Sequence, residues 1–66
     1  MRQIVKAIPR NEDEEIRVSL MTYRNKQYVD LRLFYRSANG EWLPTRKGLT
    51  LHRKLTKALR EALKGL

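Results

Sequence analysis

The most constraining feature of the sequence is a long stretch of alternation, residues 16–37, that is interrupted once. Ile16, Val18 and Leu20 alternate with other residues, which is the period of a strand with one buried face. The interruption contains Asn25, and asparagine tolerates a left-handed backbone, so a tight hairpin is predicted there. The alternation then resumes in a long second strand. The chain is therefore predicted to be built around an antiparallel hairpin.

The second strand of this hairpin carries large side chains on both faces. One face is apolar, and the other is aromatic and charged. The apolar face consists of Val29, Leu31 and Leu33, and the other face of Tyr28, Asp30, Arg32, Phe34 and Arg36. We expect the apolar face to pack in the core and the other face to meet a partner, with Phe34 suited to either role.

The segments that follow predict short strands separated by turns. Asn39-Gly40 is a strong hairpin signal. A third strand over residues 41–44, with Trp42 in the core, is predicted to end at its proline. A turn at 45–48 and a fourth strand at 49–51 follow. Gly48 in that turn is free to take a positive φ or to let a ligand approach the backbone.

The two ends of the chain differ in character. Residues 1–15 alternate weakly, contain Pro9 and end in an acidic run, so they are interpreted as a leader, partly ordered at most, or a short edge strand. The domain is then residues 16–66. At the other end, apolar residues recur at spacings of three and four and predict an amphipathic helix that ends at Gly65. Its apolar stripe is Leu55, Leu59, Ala62, Leu63 and Leu66. The predicted fold is α+β: a four-stranded antiparallel sheet followed by one C-terminal helix.

The small size of the chain raises the question of what stabilises it. With 66 residues, its solitary core would be marginal. Without cysteine and with a single histidine, disulfides and a dedicated metal site are not expected. Self-association remains, and the leucine stripe is the natural homodimer interface. A basic amphipathic helix also suits a lipid surface or a partner's groove, but we favour the dimer interface over a membrane.

The distribution of charge points to a polyanionic partner. The chain has 15 Lys and Arg against 7 Asp and Glu, a net charge of +8. Residues 23–66 hold eleven of the bases and three of the acids, so the whole excess lies there. Nucleic acid is the first candidate and an anionic membrane the second.

Catalysis is not expected from this sequence. His52 has no cysteine to work with and no acid close in sequence, and we interpret it as a polar residue at the start of the helix. The glycines are isolated, so no phosphate-binding loop is present. No enzymatic activity, cofactor or metal is predicted.

Basic residues next to aromatic residues on the predicted hairpins are the pattern in this sequence that indicates a binding function. Single-stranded nucleic acid requires cations along its phosphates and rings on which unpaired bases stack. Both occur in three segments: Tyr23-Arg24 with Lys26, Arg32 with Tyr35, and Arg46-Lys47-Gly48. Because stacking is indifferent to base identity, such binding is expected to tolerate any sequence.

The same segments resemble a known family, the positive cofactor four transcriptional coactivators. The resemblance covers residues 16–52 and, more loosely, the helix to Leu66. It is carried by Ile16-Arg17-Val18-Ser19-Leu20, Tyr23-Arg24-Asn25-Lys26, Val29-Asp30-Leu31-Arg32, Asn39-Gly40-Glu41 and Arg46-Lys47-Gly48-Leu49-Thr50-Leu51. It implies a Whirly-like homodimer with a curved sheet in each subunit, in which the helices form much of the contact and single-stranded DNA crosses both sheets.

The resemblance also implies roles for particular residues. The stacking positions of the family correspond to Tyr23 and Tyr35. Its phosphate-binding positions correspond to Arg24, Lys26, Arg32, Arg46 and Lys47, with Gly48 giving access to the backbone. Thr45 stands where the family has glycine and is expected to stiffen its loop. Arg32 and Tyr35 would face opposite sides of a flat strand, so a bulge or strong twist is predicted between them.

These observations combine into one functional hypothesis. The chain is predicted to be a homodimeric, sequence-tolerant single-stranded DNA binder that acts in transcription regulation, with the transcription machinery as a further partner, or in genome maintenance. Binding of RNA or of an acidic protein partner remain the alternatives. We expect no membrane association and no secretion, with a nucleoid-associated cytoplasmic location in a bacterium or phage and a nuclear location in a eukaryote.

Overall fold

The chain forms a four-stranded antiparallel sheet followed by a short helix in a computed structural model that describes residues 2–66. Each strand pairs with the next along the chain, so the sheet order equals the sequence order. The elements are β1 (Arg2–Asn11), β2 (Glu14–Tyr23), β3 (Lys26–Arg36), β4 (Trp42–His52), a 3-10 turn (Arg53–Leu55) and α1 (Thr56–Leu63). The predicted fold class is confirmed, although the four strands are not the four that the sequence indicated.

The first difference concerns the N-terminal segment. Residues 2–11, interpreted as a leader or a short edge strand, form the ten-residue strand β1, which pairs along β2 from Arg2↔Met21 to Asn11↔Glu14. The domain boundary predicted at residue 16 thus falls inside β2. All ten residues of β1 are exposed, so β1 belongs to the sheet through its backbone pairing more than through burial.

The second difference concerns β4. The turn predicted at 45–48 is wrong, because residues 42–52 form one continuous strand against β3. The pairing passes from Arg32↔Gly48 to Phe34↔Pro44, so three residues of β4, 45–47, lie opposite Leu33 alone. This is a bulge. Pro44 does not end the strand because β4 is an edge strand, where a missing N–H costs no ladder hydrogen bond.

The predicted tight turn at Asn25 and the predicted turn at Asn39-Gly40 are both confirmed. Arg24 and Asn25 have φ values of 50° and 64°, the left-handed pair that a two-residue hairpin turn requires. Gly40 has a φ of 87° in the loop between β3 and β4. Gly48 does not have the positive φ that was considered for it.

The apolar face of β3 contributes to the core as the alternation predicts, and one residue of the opposite face does so as well. Leu33 is buried on the apolar face, and Phe34 on the opposite face is buried as well, which resolves its role in favour of the core. The guanidinium of Arg17 lies 4.5 Å above the Phe34 ring and 5.6 Å from the ring of Trp42. Trp42, predicted to be a core residue, is only partly buried.

The C-terminal helix is confirmed, and its apolar stripe is exposed except for Leu59, which is half-buried. Helix α1 ends at Leu63, followed by a hydrogen bond from the Gly65 amide to the Ala62 carbonyl. None of its residues is buried, and Leu63 is 55% exposed. The dimer interface predicted on Leu55, Leu59, Ala62 and Leu63 therefore stays a prediction. Within the described residues, no helix has the length and hydrophobicity to traverse a bilayer.

Candidate nucleic-acid interface

The first group of predicted site residues surrounds the β2–β3 turn and is called the hairpin group: Tyr23, Arg24 and Lys26. Tyr23 and Lys26 are paired across the two strands, so their side chains share one face. The Tyr23 ring is 59% exposed, and the Arg24 guanidinium lies 5.2 Å from its centroid. An exposed ring with two adjacent cations is thus displayed at one end of the sheet.

The second group is called the bulge group. It consists of Arg46, Lys47 and Gly48, at or next to the β4 bulge, and of Tyr35 on β3. Tyr35 is 42% exposed near the end of β3. Lys47 lines an apolar groove together with Leu33, which is on the same face of β3 as Tyr35 by alternation. The bulge therefore carries Lys47 to the apolar face of β3, which also holds Tyr35. The cross-strand partner of Tyr35 on β2 is Glu14.

Thr45 stabilises the bulge through two hydrogen bonds. Its hydroxyl donates a 2.7 Å hydrogen bond to the Leu33 carbonyl and accepts a 3.1 Å hydrogen bond from the Lys47 amide. These two bonds satisfy backbone groups that the interrupted ladder would leave unpaired. The expectation that Thr45 stiffens this segment is consistent with these contacts.

Arg32 is placed differently from the other predicted cations, since it lies in an internal network. Its Nε and Nη2 donate to the two carboxylate oxygens of Asp30 at 3.2 and 3.1 Å, and its Nη1 donates to the Thr45 carbonyl at 3.0 Å. The hydroxyl of Thr50 donates to the same carboxylate at 2.7 Å. Asp30 is only 1% exposed, so Arg32 neutralises a buried charge and supports the bulge.

The charge state of Asp30 follows from these contacts. Burial alone would raise the pKa of Asp30. The hydrogen bonds from Arg32 and Thr50, with the positive charges of Arg32 and Arg2, outweigh that effect and hold the pKa below its usual value. The carboxylate is therefore ionised at neutral pH, and the guanidinium of Arg32 is occupied by it.

The two groups are not brought together within one chain. Lys26 and Tyr35 are nine residues apart on β3, which corresponds to about 30 Å along a strand. The β2–β3 pairing between them is uninterrupted, so the two groups lie on opposite faces. The predicted irregularity exists between Arg32 and Phe34, but the extra residues are on β4 and do not turn Arg32 toward Tyr35.

Most of the predicted phosphate-binding cations are not among the bases that form ion pairs with acidic residues. Within residues 2–66, no acidic side chain forms an ion pair with Arg24, Lys26, Arg46 or Lys47. The acids that form ion pairs are Asp13, Glu14, Glu15, Asp30 and Glu61, and their partners are other bases. Four of the five predicted phosphate-binding cations thus have charges that no ion pair within the described part of the chain neutralises.

Sequence reasoning missed the basic residues Arg53 and Lys54 beside the hairpin group. Together with Lys26 and His52 they line an open cleft between the β2–β3 turn and the end of β4. His52 accepts a 3.2 Å hydrogen bond from the Lys54 amide at its Nδ1, which confirms its position at the helix start. The sequence signal was the run His52-Arg53-Lys54, which was assigned only to the helix. No cluster of potential metal ligands occurs in the part of the chain that is described.

An open antiparallel sheet with exposed tyrosines, unpaired cations and a C-terminal helix defines the class: a small α+β protein whose surface suits a polyanion. The family model described as Transcriptional Coactivator p15 (PC4) matches residues 10–62, and the chain belongs to this family of transcriptional coactivators. The resemblance noted in the sequence is thereby confirmed. A comparison with curated proteins gives no match.

Solved structures agree with this assignment. BPSL1147, a PC4 homolog from Burkholderia pseudomallei K96243, superposes in its tetragonal crystal form with a TM-score of 0.88 at 27% identity, covering 96% of this chain and 93% of the homolog. Its orthorhombic form gives 0.86 at 28% identity, covering 92% and 82%. The bacteriophage T5 homolog of PC4, implicated in recombination-dependent DNA replication, gives 0.65 at 22% identity over 97% of this chain and 69% of that one, which supports the fold alone.

Proposed function

We propose that this chain is a sequence-tolerant single-stranded DNA-binding protein that acts as a homodimer in transcription regulation or genome maintenance. The observation that carries the proposal is that the hairpin group and the bulge group each hold an exposed tyrosine and cations that form no ion pair within residues 2–66. Cations attract the phosphates, and rings stack the unpaired bases. Membership in the PC4 family supports the same function.

Single strands suit this surface better than duplex. Bases in a duplex already stack on each other and are not available to Tyr23 or Tyr35. Reading of the duplex major groove usually requires a presented helix or ribbon. Here the aromatic and basic side chains occupy a turn and a bulge of an open sheet.

The homodimer is part of the proposal for a geometric reason. One chain offers two contact points about 30 Å apart along β3, on opposite faces. A second copy would bring further rings and cations alongside them and lengthen the path for the strand. The apolar stripe of α1, which is mostly exposed, is the surface we assign to that contact.

The proposal is tested by fluorescence anisotropy of labelled oligo-dT against a hairpin duplex over a salt series, with the mass of the protein in solution measured alongside. We expect preferential binding of oligo-dT and a dimeric mass. An RNA oligonucleotide of matched sequence serves as competitor, and stronger binding of RNA would favour that alternative. A monomer that ignores oligo-dT in dilute buffer would contradict the proposal, and an acidic protein partner would become the better hypothesis.

Removing the two bulge cations is expected to reduce the salt dependence of binding. Each phosphate contact contributes about 0.7 to the log–log slope for single strands, so Arg46→Gln with Lys47→Gln should lower the slope by about 1.4 per subunit. Affinity at 0.1 M salt should fall about 25-fold for each subunit that contacts the strand. The matched control is Lys6→Gln with Arg60→Gln, which removes one lysine and one arginine, both exposed, outside both groups. Equal slopes in the two double variants would remove the bulge from the site.

Removing the ring of Tyr35 is expected to weaken binding without changing its salt dependence. Stacking of one base contributes about 1–3 kcal/mol, and the ring carries no charge. Tyr35→Ala should therefore lower the affinity for oligo-dT while the log–log slope stays as in the wild type. Tyr35→Phe keeps the ring and should bind like the wild type. An affinity that Tyr35→Ala leaves unchanged would exclude stacking at this position.

A further inference from the structure

The cleft beside the hairpin group is the strongest feature that the proposed function has not yet used. It lies where the β2–β3 turn meets the junction between β4 and the 3-10 turn, and has a volume of about 680 Å³. Its walls are formed mainly by Asn25, Lys26, Gln27, His52, Arg53 and Lys54. A volume of this size admits a nucleotide and not only an ion.

The charge of the cleft is of one sign. Three of its lining residues are cations, and no acidic residue lines it. Within residues 2–66, neither Lys26 nor Arg53 nor Lys54 forms an ion pair. Three unpaired cations at the edge of one concave surface create a positive potential that attracts an anion.

The neutral side chains of the cleft orient the Arg53 guanidinium and add further hydrogen-bond donors. The Gln27 side-chain oxygen accepts from Arg53 Nη1 and so orients that guanidinium across the cleft wall. His52 Nδ1 accepts from the Lys54 amide, which leaves Nε2 as the nitrogen that carries hydrogen in the neutral imidazole. The Asn25 amide adds a further donor. Guanidinium, ammonium and N–H donors around an opening are the chemistry that recognises phosphate oxygens.

We propose that this cleft holds an internal phosphodiester of the bound single strand, next to the phosphates held by the hairpin group. The inference rests on the proposed function and extends it, because Lys26 belongs both to the hairpin group and to the cleft. The strand then continues from the turn onto the 3-10 segment, where Arg53 and Lys54 neutralise its charge. These two residues become phosphate-binding residues in addition to those at the turn and the bulge.

The test is the salt dependence of oligo-dT binding by Arg53→Gln with Lys54→Gln, compared with Lys6→Gln and Arg60→Gln as the matched control. We expect the cleft variant to lower the log–log slope by about 1.4 per subunit and the affinity at 0.1 M salt by about 25-fold for each subunit that contacts the strand, and the control to do neither. All four residues are exposed, so neither double variant is expected to unfold the protein.

The possible outcomes separate this inference from the proposed function. A wild type that does not bind oligo-dT overturns both. A wild type that binds, with equal slopes for the cleft variant and the control, overturns the inference alone. Binding of 5′-phosphorylated and 5′-hydroxyl oligo-dT is compared in the same series, and equal affinities support an internal phosphodiester. A preference for the phosphorylated end that the cleft variant loses would instead identify a terminal phosphate and overturn the proposal as stated.

Discussion

Replacing Asp30 by asparagine is expected to lower the free energy of unfolding by about 3 kcal/mol. The carboxylate is 1% exposed and accepts hydrogen bonds from two nitrogens of Arg32 and from the Thr50 hydroxyl. An asparagine amide would turn an NH₂ group toward the Arg32 donors or the Thr50 hydroxyl, and the Arg32 charge, which is largely buried, would lose its counter-ion. Removing one partner of such a pair costs more than the pair itself contributes to stability.

The measurement is urea denaturation followed by circular dichroism at one fixed protein concentration, because self-association would shift the midpoint. The matched control is Glu61→Gln. It also removes one carboxylate from an ion pair, that with Lys64 at 3.3 Å, but both partners are exposed. We expect at most a small change for that exposed pair. If Asp30→Asn were no less stable than Glu61→Gln, the network around Arg32 would not stabilise the fold.

The Asp30 carboxylate also makes the free energy of unfolding depend on pH, and we expect that free energy to fall as the pH falls. Because the folded-state pKa of Asp30 is lowered, its contribution to stability is fully present above the unfolded-state pKa of about 3.9. This contribution is lost as the pH falls below that value and through the folded-state pKa. The unfolding free energy of the wild type should therefore decrease more steeply below pH 4 than that of Asp30→Asn. Parallel curves for the two proteins would contradict the assignment.

The parts of the fold that the sequence predicted are those encoded by local signals. The alternation around Leu31 and Leu33 determines the faces of β3, and Asn25 and Gly40 occupy the left-handed positions of their turns. The helix likewise follows from its own spacing of apolar residues. Each of these signals lies within a few residues of the structure that it determines.

The parts that were mispredicted depend on where a strand lies in the sheet. Pro44 was interpreted as the end of a strand and Pro9 as part of a leader or short edge strand, yet each lies within a long edge strand and beside a register shift. A proline interrupts a strand only where its missing N–H would be needed by a neighbour. Which strands become edges is decided by the order of the whole sheet, and the sequence around each proline does not contain that information.

The internal contacts of Arg32 were not predicted, for a related reason. Arg32 and Asp30 are two residues apart on one face of β3, a spacing that fits equally a pair of surface charges and a buried ion pair. Which of these two arrangements forms depends on Thr50 and Thr45 from β4. They are 18 and 13 residues further along the chain than Arg32. Only the β3–β4 register brings these groups together. The other four predicted cations are exposed, and none of them forms an ion pair within residues 2–66.

Replacing Gly48 by alanine is expected to destabilise the fold by about 3 kcal/mol, the upper end of the cost of overpacking. A Cβ at this position would lie 2.4 Å from the Leu31 carbonyl oxygen and 2.8 Å from the Arg32 Cα. Both are backbone atoms of β3, so the clash cannot be relieved by rotating a side chain. The two strands would have to separate at the Arg32↔Gly48 pair, next to the bulge that carries Arg46 and Lys47.

This substitution distinguishes two explanations for the glycine. If Gly48 serves only to let a ligand approach the backbone, Gly48→Ala should keep the stability of the wild type and lose affinity for oligo-dT. If it serves the close approach of β4 to β3, stability should fall first, and affinity should fall with it because the bulge is displaced. Gly65→Ala is the matched control, since a Cβ there would meet only the Ala62 carbonyl at 3.4 Å, an ordinary contact. Because the clash is with the sheet itself, we expect the second result in urea denaturation and anisotropy, and equal stability of the two alanine variants would contradict it.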